Sequence, residues 1–404
     1  MTKVDVLFGG WLKAPNGAAY VVNSLLQKKD EFRKGGIELN SWTLDNIIQR
    51  SFDEYKQPRK HIFLRILTSL KNFIHSFLSA KAKSSKLITK ILLKKNLKIA
   101  KVVGKSYAMT NRNNIVFVHD IFTCYYYLKF RSIDAKVFLV LHNNGDTFSM
   151  LHEYYPKLKA SKMMVNLYEI ETFVLTKVSK IGFVAKEPMD NFLRLHKEIP
   201  KSKVTFVYNG LEDINTNLNI KKLHAPIEIC CVGSVTYRKG QDLLIDAISE
   251  LPEDSRSKFH VTIVGDGALR QELENKSIQN NLPISFVGYS KNVDKYLNES
   301  DIFILPSRDE GFPISILEAM RLGLPVISTR VAGIPEMIIH ESTGLLIEPT
   351  AADLKNILSN IQNFEWIEMG NNSRLLFSEK FNLKTTINEY CKVLFNISIT
   401  DSLN

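Results

Sequence analysis

The feature that most constrains this chain is a recurring one. Short apolar runs of three to six residues are separated by longer stretches with helical spacing. In the first half the runs are Val4–Phe8, Ile115–Val118, Val137–Leu141, Ile181–Val184 and Val204–Val207. In the second half they are Ile227–Val232, Val261–Val264, Ile284–Val287, Ile302–Leu305, Pro325–Ser328 and Leu345–Ile347. A run that is apolar throughout suits a strand covered on both faces, and strands that alternate with helices pair in parallel. The pattern predicts an α/β chain with doubly wound parallel sheets. At 404 residues it is long enough for two such domains. The polar stretch 209–226 lacks periodicity and reads as a linker. The expected boundaries are therefore 1–208, a linker at 209–226, a second domain at 227–380 and a helical tail at 381–404.

Charge is unevenly placed. The net charge is +11, yet Arg59–Lys105 alone holds thirteen Lys or Arg, and no acidic residue lies between Glu54 and Asp120. The rest of the chain is slightly acidic. Within residues 59–105, Ile62, Phe63, Ile66, Leu67, Leu70, Phe73, Ile74, Phe77 and Leu78 recur at helical spacing, and a second helical pattern runs from about Leu87 to Val103. Lysines flanking an apolar stripe suit an anionic membrane surface, while a solvated helical pair remains open. Nucleic acid is not expected, because the segment lacks a recognised module and aromatics interleaved for base stacking. No apolar run reaches the roughly 18 residues of a membrane span. The start, MTKVDVLFGGWLKAP, has charge inside its first apolar stretch, unlike a signal peptide. Cys124, Cys230, Cys231 and Cys391 form no CxxC pair and no zinc spacing. These features lead to the expectation of a reduced, cytoplasmic protein, peripheral on the inner face of the plasma membrane.

The window Ile302–Glu336 carries the most chemistry. A strand ends at Leu305, a loop follows, and a helix starts near Ile314. Unpaired amides at a helix start favour an anion, typically phosphate. Glu318, one turn into that helix, is suited to accept hydrogen bonds from a ribose diol, and Glu310 on the loop from another hydroxyl-rich group. Together these features would serve a nucleoside diphosphate joined to a sugar. Spacing alone leaves open that Glu318 is an exposed helical residue and Glu310 a loop charge.

The same window resembles the signature of the retaining glycosyltransferases of family four, the large group-one family with the GT-B fold. The matching residues are Glu310-Gly311-Phe312 to Glu318-Ala319-Met320, then Gly323-Leu324-Pro325-Val326-Ile327, then Gly333-Ile334-Pro335-Glu336. Tyr208-Asn209-Gly210 resembles the family's interdomain turn. Gly233 followed by Arg238-Lys239-Gly240 resembles its phosphate-clamp strand and loop. The likeness is specific over roughly Val204–Pro349. It implies a GT-B fold with two Rossmann-like domains facing a central cleft, the first binding the acceptor and the second the donor, and a C-terminal helix that crosses back to the first. It implies that Glu318 binds the donor ribose and Glu310 the transferred sugar. It also implies that the amides after Pro313, those of Ile314 and Ser315, hold the diphosphate, with charge from Lys239 and Arg238 and with Gly311 and Phe312 among the donor-binding residues. Ser234 stands where many members carry arginine, so either Arg238 substitutes or the clamp is weaker. Pro313 replaces a glycine and removes one N–H.

In the first half the resemblance is limited to Gly17, at a helix start where the backbone can approach a ligand closely, and His142, at a strand end that faces the donor sugar. His119-Asp120 ends the preceding strand, as a direct or supporting contact.

The catalytic set implied is thus Glu310, His142 and Lys239. No D-x-D pair occurs, and neither a Walker pattern nor GxSxG is present. The expectation is a retaining, metal-independent hexosyltransferase without a cofactor. It would move sugar from a UDP- or GDP-sugar to a glycan or polyprenyl-linked acceptor in bacterial surface polysaccharide assembly. A nucleotide-sugar epimerase and a non-catalytic scaffold subunit are the rivals.

Overall fold

The computed structural model describes residues 1–14, 16–47, 86–110, 112–154, 156–159, 161–214 and 223–399. It divides into two compact units. The first comprises Met1–Val184, Met189–Val207 and Ile387–Asn404, and the second Ala185–Pro188 and Tyr208–Thr386.

The first unit is built on a six-stranded sheet. Its strands are β1 (Thr2–Phe8), β2 (Ile37–Thr43), β3 (Ile115–Val118), β4 (Val137–Leu141), β5 (Lys180–Phe183) and β6 (Val204–Phe206), in the order β2-β1-β3-β4-β5-β6. The second unit carries β7 (Ile227–Val232), β8 (Phe259–Val264), β9 (Ile284–Gly288), β10 (Ile302–Leu305), β11 (Val326–Thr329) and β12 (Gly344–Ile347), in the order β12-β11-β10-β7-β8-β9. Every pairing is parallel. The doubly wound α/β architecture expected from the apolar runs is the one observed.

The interior strands β3, β4, β10 and β11, and also β12 at a sheet edge, are buried at every position. The strand missing from the sequence reading is β2. It lies at the sheet edge and pairs only with β1, so Glu38, Asn40 and Ser41 remain partly exposed and interrupt the apolar signal. Cys124, Cys230, Cys231 and Cys391 are all free thiols in the core.

Helix starts follow local capping chemistry. Asn16 accepts a hydrogen bond from the Ala19 amide, Asp120 from Thr123, Ser161 from Met164 and Thr350 from Asp353. The basic segment 59–105 is described only from residue 86, where helix Lys86–Ala108 begins; the stripe at 62–78 lies outside the described residues. That helix packs on helix Ile121–Phe130 through Gly104, where a Cβ would meet the Thr123 carbonyl at 2.6 Å.

Of the stretch 209–226 expected as linker, residues 215–222 lie outside the described residues. Asn209 and Leu211 are buried in the second unit. Leu211 exchanges backbone hydrogen bonds with Phe381 and Leu383, and the Asn209 side-chain amide donates to the Phe312 carbonyl at 3.4 Å. Asn209 is thus polar yet buried, whereas Glu212, Leu223, His224, Ala225 and Pro226 are exposed. Helix Leu383–Ile399 starts in the second unit and belongs to the first from Ile387. There the Tyr390 ring stands 5.2 Å from Phe117, and Lys136 donates to the terminal carbonyls of Ile397 and Ser398.

Candidate active site

The topology of the second sheet selects the place. From β7 the chain steps outward to β8 and β9, then returns to β10 on the other side of β7 and continues to β11 and β12. The strand order therefore reverses between β7 and β10. In open parallel sheets a ligand sits beyond the carboxyl ends of the strands at such a switch. The loops that leave those two strands are Gly233–Gly240 and Pro306–Pro313.

The two loops are locked to each other. Gly240 takes φ +73°, and a Cβ there would lie 1.9 Å from the Pro306 carbonyl oxygen, so only glycine lets the loops approach. Arg308 donates to both carboxylate oxygens of Asp242, at 2.8 and 2.7 Å, and its guanidinium lies 3.8 Å above the Tyr237 ring. The Arg308 amide donates to the Arg238 carbonyl at 2.8 Å.

This clamp brings the expected charges together. Lys239 Nζ lies 2.5 Å from Glu310 Oε1, and Arg238 Nη1 lies 2.9 Å from Glu310 Oε2. Ser307 Oγ also donates to Oε1, at 2.8 Å. Glu310 is buried. Burial would raise its pKa, but the Lys239 and then the Arg238 charges outweigh it and hold it at about 2. The carboxylate is therefore ionised, and two cations face one anion.

Behind Glu310 the chain enters helix Ile314–Arg321, with Pro313 at its N-cap and no side chain capping it. The Ile316 amide turns back to the Pro313 carbonyl, while those of Ile314 and Ser315 find no acceptor among the described residues. The fractional positive charge of the helix N-terminus adds to that of Lys239 and Arg238. Glu318 is half-buried one turn along. Burial raises its pKa to about 7, opposed by Arg321 and reinforced by Asp294.

Gly311 accepts a hydrogen bond from the Gly333 amide through its carbonyl. The Phe312 side chain is buried, stacked on Tyr208 with centroids 5.2 Å apart and edge-on to Phe381 at 5.5 Å, so this residue offers a ligand backbone rather than ring. Gly17 and His142 belong to the first unit. Gly17 is the exposed first residue of helix Gly17–Gln27. His142 follows β4, and its Nε2 lies 3.1 Å from His119 Nδ1. Burial lowers the His142 pKa to about 4 and holds His119 well below the usual histidine range, with a further push from His142.

Three residues outside the sequence-derived set belong here. Ser307 orients Glu310. Gln241 is fully buried and braces the start of the loop after β7, donating to the Ser234 carbonyl and accepting from the Thr236 amide. Glu336 accepts from the amides of Lys186 and Glu187 and from the Tyr208 hydroxyl. Single polar residues in loops carry no periodic signal, and only Glu336 lay within a recognisable motif. Among the described residues no group of three or more His, Cys, Asp or Glu could hold a metal ion.

Residues 215–365 match the family model described as glycosyl transferases group 1. That match lies within the second unit. The amylovoran biosynthesis glycosyltransferase AmsK of Erwinia amylovora is 34% identical over 178 residues, covering 41% of this chain and 44% of that protein. The O-antigen biosynthesis glycosyltransferase WclY of Escherichia coli is 29% identical over 143 residues, covering 33% and 39%. The chain thus spans about half the length of the curated relatives it matches, or less. Among solved structures, Anabaena HepE in complex with UDP-glucose aligns over 98% of this chain and 100% of its own, with a TM-score of 0.62 and 16% identity. Sucrose-phosphate synthase of Thermosynechococcus elongatus aligns over 98% and 99%, with a TM-score of 0.67 and 17% identity. The fold is GT-B.

The two glutamates should respond oppositely to removal of charge. Glu310→Gln leaves Lys239 and Arg238 facing a neutral amide and should cost about 2–4 kcal/mol at pH 7 in urea unfolding. Glu318 is protonated more readily folded than unfolded, so its contribution is fully present below its unfolded pKa and lost as pH rises through about 7. Glu318→Gln should therefore stabilise at pH 7–8 by on the order of 1 kcal/mol, with the gain vanishing near pH 4. A destabilised Glu318→Gln at pH 8 would contradict this.

Proposed function

We propose that this protein is a retaining glycosyltransferase that moves a sugar from a nucleoside-diphosphate sugar to a glycan or polyprenyl-linked acceptor during bacterial surface polysaccharide assembly. The observation that carries the reading is the pairing of Lys239 and Arg238 with Glu310 beside the open amides of Ile314 and Ser315, at the strand-order switch of the second sheet. The donor diphosphate takes those amides and the two cations. Glu318 accepts the ribose hydroxyls, and Glu310 turns to the hydroxyls of the transferred sugar. HepE, solved with UDP-glucose, and AmsK and WclY, named for polysaccharide biosynthesis, support the donor class and the setting.

In this scheme the bond between the anomeric carbon and the β-phosphate oxygen breaks as the acceptor oxygen adds on the same face. The acceptor proton passes to the departing phosphate. Lys239, Arg238 and the helix start stabilise the charge that grows on the diphosphate, so no metal is required. We assign His142 to the donor-sugar side and Gly17 to close backbone approach.

The setting at a membrane rests on helix Lys86–Ala108. Lys94, Lys98, Lys101 and Lys105 lie on one face, all exposed, and none pairs with a carboxylate among the described residues. With Leu97, Val102, Met109 and Tyr126 they line a shallow groove of about 770 Å³. Like charges at helical spacing repel, and an anionic lipid surface would relieve that repulsion. Among the described residues no helix is long and apolar enough to cross a membrane. We propose a peripheral location on the inner face of the plasma membrane.

Two experiments test these readings. Incubation with UDP- and GDP-sugars and a polyprenyl-linked glycan acceptor, without metal, should release one nucleoside diphosphate and form a glycosidic bond of the donor's anomeric configuration. Nucleotide affinity should weaken as pH falls below 7, approaching tenfold per unit, because protonated Glu318 loses its acceptor strength. That slope should flatten in Glu318→Gln. Epimer formation without acceptor would install the epimerase reading, and absence of both products the scaffold reading. Separately, replacing Lys94, Lys98, Lys101 and Lys105 with glutamate should weaken binding to anionic vesicles at least 100-fold, from about 1 kcal/mol per cation. Unchanged binding would remove the membrane assignment.

A further inference from the structure

The first sheet has its own reversal of strand order. The chain steps from β1 outward to β2 and returns to β3 on the other side of β1. At the carboxyl end of β3 stand His119 and Asp120, and at that of β4 stands His142. Asp120 accepts from the Gly9 amide at 3.0 Å and from the Thr123 amide at 2.7 Å, which ties the end of β1 to the start of helix Ile121–Phe130. His119 is held between its strand and its neighbours. Its ring centroid is 4.3 Å from that of Phe117, and it is 2% exposed.

The two histidine rings lie nearly parallel, 29° apart, and are joined by one hydrogen bond between His119 Nδ1 and His142 Nε2, at 3.1 Å. Only one proton occupies that bond, and burial decides which ring supplies it. His119 Nε2 is fully buried with no hydrogen-bond partner. If His142 Nε2 donated, the proton of neutral His119 would have to sit on its Nε2, as an orphaned N–H in an apolar pocket. If His119 Nδ1 donates, its Nε2 is a bare lone pair, which folded proteins tolerate more readily than an orphaned N–H. His142 Nε2 then accepts, and the His142 proton is left on Nδ1. That nitrogen makes no hydrogen bond to any described residue, on a ring that is only half-buried.

We infer that His119 is a positioning residue: it fixes His142 as the Nδ1–H tautomer, so that His142 meets its substrate as a hydrogen-bond donor and not as a proton acceptor. The substrate identity rests on the proposed transferase reading, in which the partner is an oxygen of the donor sugar or of its phosphate. The tautomer itself does not depend on that reading. The assignment also narrows the mechanism. A neutral His142 with Nε2 engaged and Nδ1 protonated has no free lone pair with which to take the acceptor proton. The low pKa of both rings keeps them neutral in the working range. The proton must therefore leave by another group, as it does when the departing phosphate receives it.

The experiment is nitrogen NMR of the ligand-free full chain carrying ¹⁵N-histidine near pH 7.5, with His142 assigned by the signals lost in His142→Gln. The expected result is a protonated Nδ1 and a bare Nε2 on His142. A proton on Nε2, or an even mixture of tautomers, would overturn the proposal. His119→Asn offers a side-chain N–H where Nδ1–H stood and should preserve the single tautomer. His119→Leu should give the mixture while the chain remains folded. In the transferase assay His119→Leu should lower kcat about tenfold with KM little changed, and His119→Asn should restore most of it. A His119→Leu variant with mixed tautomers and undiminished kcat would overturn the positioning role. A wild-type chain that shows the single tautomer but transfers no sugar would instead overturn the transferase reading and uphold the pairing.

Discussion

Parallel strands cannot be joined by tight hairpins, so within each sheet every strand but the last in chain order is followed by a crossover that returns the chain to the starting edge. All carboxyl ends of a sheet therefore share one edge, and the loops that leave them are brought together whatever their distance in sequence. In the second unit this places Arg238-Lys239 and Glu310, some seventy residues apart, within one hydrogen-bonded cluster. In the first it places His119 beside His142. The candidate chemistry of both units depends on that edge.

The charges at the β7–β10 switch explain why the edge is selective. A lone buried carboxylate or a lone buried lysine would be costly, but Glu310 with Lys239, Arg238 and Ser307 is satisfied in the ligand-free chain. The cluster sets Lys239 and Arg238 next to a helix start with open amides. An arriving anion meets attraction from groups that are already positioned, and the Arg308–Asp242 clamp holds their loops before it arrives. Glu318 has the opposite character. Burial leaves it poised near neutrality, so the two carboxylates of one motif are driven apart in pKa by their surroundings.

Much of the fold was legible because the strands of covered parallel sheets are mostly apolar, and eleven short runs of that kind stand out of the sequence. β2 did not, since an edge strand keeps polar residues on its exposed positions. The motif from Glu310 to Glu318 was legible because its spacing crosses a strand end and a helix start, and helix Ile314–Arg321 begins at the expected residue. Phe312 was read among the donor-binding residues, yet its ring packs between Tyr208 and Phe381, a tertiary fact that spacing does not encode. The His119–His142 bond, the Ser307 contact and the Gln241 brace each join residues through the fold rather than through a pattern. The stretch at 209–226 looked like a linker because it is polar, but Asn209 spends its polarity on the Phe312 carbonyl.

The central claim is that the second unit receives a nucleoside diphosphate at the strand-order switch. A crystal structure of the full chain with UDP or GDP bound, grown without added metal, tests it most directly. The account predicts diphosphate oxygens within hydrogen-bond distance of the Ile314 and Ser315 amides and of Lys239 Nζ, with the ribose diol on Glu318. A nucleotide bound away from this helix start, or with its ribose turned from Glu318, would contradict it.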